Sequence, residues 1–353
     1  MRHRRNSNLA NFVATVLVTV LACPLCAGAD DKGLNEKLLA AIRDSDAGAA
    51  SALLSLPSGA ADANARDEDG MTALMYAAMY ASADCVELLL AKGADPNAKS
   101  NSDVTALMLA IGQADKVRLL LSKGAEVNAK RKQGHTALSI AAGREGAAEV
   151  IKALLDHGAD LTVANILGAA TRGGDIKVVK LLLERGADPN NRNKIGAAPP
   201  MSAKRASELN KIGAPTSPIL GLPDRTAVTP LMYAAHAGNT EVVRLLIEKG
   251  AEINARNNVN GVALMPAAQM GNPATVKLLL EKGADAHLRN DYGYTALMYA
   301  ASAERNDLEL IRVLLARGAE INVKAKDGET ALKLAGRKGR TETVCLLEKA
   351  GAK

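Results

Sequence analysis

The signature Gly-Ala followed by Asp or Glu returns along this chain at nearly constant spacing, and that recurrence constrains the fold more than any other feature. It begins at Gly93, Gly124, Gly158, Gly186, Gly250, Gly283 and Gly318, and Gly351 opens a relative at the end. Steps between regular neighbours are 31, 34, 33, 35 and 33 residues. A period of this size marks stacked supersecondary units, none of which can bury its apolar face alone. Composition agrees. Of 353 residues 48% are apolar but only 2% aromatic, with no Trp and one Phe, Phe12. A compact core of this length would draw on large aromatics, whereas stacked repeats bury area through many thin Ala- and Leu-lined contacts.

Each part of the unit has a physical reason. Thr72-Ala-Leu-Met-Tyr-Ala-Ala recurs, with small changes, at Thr105, Thr136, Thr229, Thr295 and Thr330. The Thr can cap the first free amides of a helix, and Pro230 suits the first helical position. Paired alanines such as Ala77-Ala78 let neighbouring helices approach closely. After a turn, as at Gly238-Asn239, a second helix carries an apolar stripe such as Val242-Val243-Arg244-Leu245-Leu246-Ile247. Gly250 and its equivalents suit the left-handed conformation that ends a helix. The eight residues from Asn97 to Thr105, Asn128 to Thr136 and Asn322 to Thr330 leave room for a β-turn finger.

On these residues, from about Leu34 to Lys353, the chain resembles the ankyrin-repeat family. The resemblance implies an all-α solenoid of about nine helix-turn-helix repeats with β-turn fingers, whose function is to bind another protein. One departure is consistent: the family's His is replaced by Met75, Met108, Met232, Met265 and Met298. That His commonly orders the finger, so its absence is expected to loosen the turns. The methionines read as packing residues before they read as soft metal ligands.

The expected organisation is a signal peptide over 1–29, repeats 1–5 over 30–190, a degenerate repeat and Pro-rich loop over 191–228, and repeats 7–9 with a cap over 229–353. Arg2, Arg4 and Arg5, an apolar run from Phe12 to Ala22, and Ala27-Gly28-Ala29 carry the export reading. The apolar run is too short for a stable membrane span. Twin-arginine export and lipidation at Cys23 are alternatives, each with a poorly matching flank. Cleavage would leave 41 basic against 38 acidic residues, a mild excess that makes no case for nucleic acid. Bacterial origin, a periplasmic or secreted destination and a monomeric chain are the corresponding expectations.

The pattern breaks twice. After Thr162 a helix-like stretch starts at Ala164, so the fifth repeat is expected to lack its finger. The stretch 191–228 holds five of the twelve prolines, and Pro215–Arg225 reads as a long loop, which is either a tolerated insertion or a contact element.

Candidate contact residues are the basic series two positions after the finger Asn or its equivalent: Arg66, Lys99, Lys130, Arg256, Arg289 and Lys324. Arg131 and Lys132 make the third finger the most basic, and Tyr292 is the first choice among single residues. Regular exposed charge also serves solubility, so steering of an acidic partner and simple solvation both remain open. Tyr76, Tyr233 and Tyr299 read as packing residues. Cys85 is expected to be buried; Cys345 occupies a more polar slot. Cys23-x-x-Cys26 lacks the His that haem attachment needs. No metalloprotease, phosphate-loop or serine-hydrolase motif occurs, so no enzyme activity, cofactor or metal is expected. The rival is an enzyme or small-molecule site built around 191–228, where the only acids are Glu208 and Asp224.

Overall fold

The computed structural model describes residues 31–56, 61–162, 166–192, 227–305 and 307–353. Eighteen α-helices lie among them, in nine successive pairs. No strand forms among the described residues; one isolated bridge joins Arg66 to Thr72. The chain divides into two compact units, with the boundary in sequence between Lys132 and Gln133.

The first unit holds α1 (Asp31–Arg43) and α2 (Ala47–Leu53), α3 (Ala73–Tyr80) and α4 (Ala83–Ala91), then α5 (Ala106–Leu109) and α6 (Ala114–Ser122). First helices pack on first helices and second on second. The second unit repeats the scheme six times. Its pairs are α7 (Ala137–Ala142) with α8 (Ala148–Asp156), α9 (Ile166–Gly173) with α10 (Ile176–Glu184), and α11 (Pro230–Ala237) with α12 (Thr240–Glu248). They continue with α13 (Leu264–Gln269) and α14 (Pro273–Glu281), α15 (Ala296–Ser302) and α16 (Leu308–Ala316), then α17 (Ala331–Arg337) and α18 (Thr341–Lys349).

The helices start where the hydroxyls dictate. Thr72, Thr105, Thr229 and Thr295 each accept the amide of the Met three residues on. Such a cap contributes about 1 kcal/mol. The Met side chains behind those amides are buried, as are Ala77, Ala78, Ala234, Ala235, Ala300 and Ala301. Side chains this small at the helix contact allow the close approach that a thin core needs. One layer deeper, Leu89, Leu120, Leu154, Leu182, Leu246 and Leu279 are wholly buried, each worth roughly 1.5–3 kcal/mol of transfer free energy. At Gly238, which ends α11, φ is +69°, and a β-carbon there would stand 2.3 Å from the Asn272 side-chain nitrogen. Only glycine fits.

Repeats are tied together by one side chain. Asn64 Nδ2 donates to Gly93 O at 3.0 Å, while its Oδ1 accepts the Asp95 amide at 2.8 Å. Asn97 does the same to Gly124 and Glu126, Asn254 to Gly283 and Asp285, and Asn322 to Gly351 and Lys353. The two halves of one amide thus fix the register of each repeat on the next.

The two interruptions differ. In the fifth repeat α9 begins at Ile166, four residues after Thr162, which leaves no room for a finger. The stretch expected to hold a degenerate repeat and a Pro-rich loop lies, for 193–226, outside the described residues, as does the leader expected over 1–29. On either side of 193–226, however, α9 packs directly on α11 and α10 on α12. Asn190 Nδ2 reaches Gly250 O at 2.9 Å and Asn190 Oδ1 accepts the Glu252 amide at 2.8 Å, across 60 residues of chain where 29 is usual. The repeats before and after the gap are stacking neighbours.

Replacing Asn190 by Ala is therefore expected to lower unfolding free energy by about 1–2 kcal/mol, the same loss as Asn254→Ala, in urea melts followed by circular dichroism. Loss in Asn254→Ala alone would show that the two flanking repeats do not stack.

Candidate protein-interaction face

The fingers stand ahead of the first helices, and an internal bond shapes them. In four of the fingers the residue after the basic position accepts amides two and four residues on. Asp67 Oδ1 takes those of Asp69 and Met71, and Asn257 Oδ1 those of Val259 and Gly261. Asn290 Oδ1 takes those of Tyr292 and Tyr294, and Ser100 Oγ those of Ser102 and Val104. The missing family His is thus offset by a polar side chain inside the finger itself.

Fingers also bond to one another. The Asn101 amide donates to Asp69 O at 3.0 Å, Asp291 N to Val259 O at 2.9 Å, and Lys326 N to Tyr292 O at 2.9 Å. With the backbone groups occupied, the side chains at the tips are left for other contacts.

The basic series occupies this edge within each unit. In the first, Arg66, Lys99, Lys130 and Lys132 are exposed, and Arg131 is half-buried in the finger-closing slot that Asp67 and Ser100 fill elsewhere. Arg66 is engaged, its guanidinium donating to Lys99 O at 2.8 Å. In the second unit Arg256, Arg289 and Lys324 are exposed. Arg289 is paired with Glu320 at 2.7 Å, and His287 Nδ1 lies 3.6 Å from the same carboxylate. No ion pair engages Lys99, Lys130, Lys132, Arg256 or Lys324 among the described residues. Within each unit the basic series consists of exposed cations, of which Arg289 is paired with Glu320.

Tyr292 stands on the finger tip with 43% of its surface exposed. Behind it, Tyr294 donates to Asp327 Oδ2 at 2.7 Å. Tyr299 is buried and its oxygen accepts from Asn290 Nδ2 at 3.0 Å. Burial first, then the Asp327 contact, pushes the Tyr294 phenol far above its ordinary range; burial does the same to Tyr299. Their two rings pack on each other, 5.7 Å between centres.

Several features escaped sequence reasoning. Met79, Tyr80, Met270 and Ile176 are large apolar side chains left exposed, Tyr80 to 54%. Tyr80 and Met270 occupy the same slot at the C-terminal end of a first helix. Lys116 is 0% exposed. Its ammonium donates to Ala77 O and Ala78 O, both at 3.1 Å, and so neutralises the carbonyl end of α3. The slot holds Cys85, Val150, Val178 and Val242 in other repeats, a contrast that could have exposed it. Burial lowers the Lys116 pKa, partly opposed by Cys85, and burial raises the Cys85 thiol. Cys85 is buried and Cys345 exposed, both free.

No group of three or more His, Cys, Asp or Glu among the described residues is arranged to hold a metal ion. No helix among them is long and apolar enough to cross a membrane.

The family model for ankyrin repeats (3 copies) matches residues 38–131, 99–165, 128–193, 166–257, 201–290 and 264–353. The chain belongs to the ankyrin-repeat family. Its nine helix pairs are ankyrin repeats, and the all-α solenoid expected from the period is the fold observed. Ankyrin repeats are generally protein–protein interaction modules and typically non-enzymatic binding scaffolds. No curated protein matches this ankyrin chain.

The ankyrin slot held by Lys116 should tolerate a neutral side chain. Lys116→Met removes a buried charge and is expected to raise stability by about 1 kcal/mol at pH 7. Because the folded pKa of Lys116 lies below 10.5, the unfolded chain binds more protons in the interval between the two values. Wild-type stability should therefore gain from this group as pH rises towards 10.5, and Lys116→Met should lose that gain. Parallel slopes in urea melts from pH 7 to 10 would contradict the assignment.

Proposed function

We propose that this ankyrin array is an exported scaffold that docks another protein on the finger edge and first-helix ends of its units, and so regulates or assembles that partner in a periplasm or beyond. The observation that carries the reading is the arrangement at the finger tips. Backbone groups there are satisfied within and between fingers, while Tyr292, Lys99, Lys130 and Lys324 project without ion pairs. A partner meets a surface already ordered, which reduces the entropy lost on association. Tyr292 supplies rigid area at the tip, and Tyr80 and Met270 supply apolar area at the helix ends.

Export rests on the basic start, apolar run and Ala-Gly-Ala exit within 1–29, which lie outside the described residues. The Pro215–Arg225 loop, read as a possible contact element, lies outside them too. No observation on the described residues favours an enzyme or small-molecule site around 191–228.

The test is affinity capture from periplasmic extract and culture medium, with wild type beside Tyr292→Ala and a Lys99→Glu/Lys130→Glu pair. All three side chains are exposed, so melting midpoints should be unchanged. A partner captured by wild type should bind about 10–30-fold more weakly to Tyr292→Ala, and the charge reversal should slow association as well. Equal capture by all three proteins would place the contact elsewhere and sink the proposed face.

A further inference from the structure

Asn260-Gly261 is the one Asn-Gly step in the chain, and it lies in a finger whose helix is uncapped. An asparagine followed by glycine can react with its own backbone. The Gly261 nitrogen attacks Asn260 Cγ, the new N–C bond forms, and the Cγ–Nδ2 bond breaks to release ammonia. The five-membered imide then takes up water at either carbonyl and opens to aspartate or isoaspartate. Amide plus water gives carboxylate plus ammonia, and no further reactant enters the balance. Glycine favours the attack because no side chain obstructs its nitrogen.

The closed finger holds both reacting groups. Gly261 is buried, and its N–H donates to Asn257 Oδ1 at 2.8 Å. Gly261 O accepts the Asn257 amide at 3.0 Å. At the other end, Asn260 Nδ2 donates at 2.6 Å to Asp291 Oδ1 on the next finger. Cyclisation must break the first of these bonds to free the nitrogen and the last to release the side-chain amide. It is therefore confined to molecules whose finger has opened.

Opening is eased by a missing hydroxyl. Thr72, Thr105, Thr136, Thr229, Thr295 and Thr330 each cap the helix that follows their finger. Val262 stands in that slot, and α13 starts at Leu264 without a side-chain cap. Loss of such a cap makes opening about fivefold easier.

The product meets the wrong neighbour. Asn260, at φ +55°, holds the left-handed slot that Gly70, Gly293 and Gly328 fill in other fingers. Asp103 fills it too, at φ +58°, so an aspartate is sterically tolerated there. The bonds between fingers identify the facing residue. Lys132 N reaches Ser102 O, one before Asp103, as Asp291 N reaches Val259 O, one before Asn260. An acid in the slot is thus matched with a lysine, and the amide with an acid. Deamidation turns the Asn260–Asp291 hydrogen bond into a pair of opposed like charges, which destabilise.

We propose that Asn260 is a self-modification site, held unreacted by the closed finger and converted to aspartate or isoaspartate when the finger opens. The conversion severs its bond to the finger that carries Tyr292, and it runs one way. The inference does not depend on the proposed docking face.

The experiment incubates the full chain for weeks at mildly alkaline pH and follows the peptide containing Asn260 by mass spectrometry, with fragmentation to place the change. Folded wild type should react at least about tenfold more slowly than the chain in urea. Val262→Thr, which restores the cap, should slow the folded chain by a further factor of about five. Asn257→Ala, which frees the Gly261 amide, should speed it several-fold. Asn260→Asp should lower the melting midpoint by about 1–3 °C, and adding Asp291→Lys should recover it. Should Asn257→Ala fail to fold, Val262→Thr still tests the gate from the other direction. Equal rates in folded and urea-treated chains, or an unchanged rate in Val262→Thr, would overturn the gate. A silent Asn260→Asp, or no product in the folded chain while the urea sample reacts, would overturn the site.

Discussion

The amide of Asn64, Asn97, Asn190, Asn254 or Asn322 donates to a glycine carbonyl of the following repeat and accepts an amide two residues further on. The pair of bonds holds the end of one second helix against the finger base of its predecessor, and the stacking of buried leucines follows from that register. Threonine caps and helix-ending glycines then settle where each helix begins and stops. Where the Asn slot holds His287, its Nδ1 lies 3.6 Å from the Glu320 carboxylate of the next repeat.

Much of this was legible in the sequence because it is local and repeated. The Thr cap, the paired alanines, the glycine ends and the missing fifth finger each follow from a few residues at fixed offsets. Tyr292 was also legible, since a tyrosine between Asp291 and Gly293 at a finger tip has nowhere to be buried. What stayed hidden depends on the residue one repeat away. Lys116 is buried because the Ala77 and Ala78 carbonyls lie within reach of its ammonium. Arg289 loses its free charge to Glu320, 31 residues on. Tyr76 read as simple packing, but the Arg43 and Asp67 partners make it a polar hub.

The exposed side chains sit on the least adaptable part of the frame. Finger backbones are bonded inside the turn and across to the next turn, so their tips are held while their side chains vary. That separation lets the ankyrin frame carry different surfaces without altering its core. It also explains why the basic series is unequal: Arg66 and Arg289 serve the frame, whereas Lys99, Lys130, Arg256 and Lys324 do not.

The Asn190–Gly250 bond spans 60 residues where its equivalents span about half as many. In a solenoid each newly folded repeat templates the next, and the rate of that propagation is set by the entropy of closing the intervening chain. Doubling the length of chain to be closed adds only about 0.6 kcal/mol. Growth of the second unit from either end should therefore cross the insertion with a delay of roughly threefold rather than a stall, and the solenoid can lengthen its chain here with little kinetic penalty.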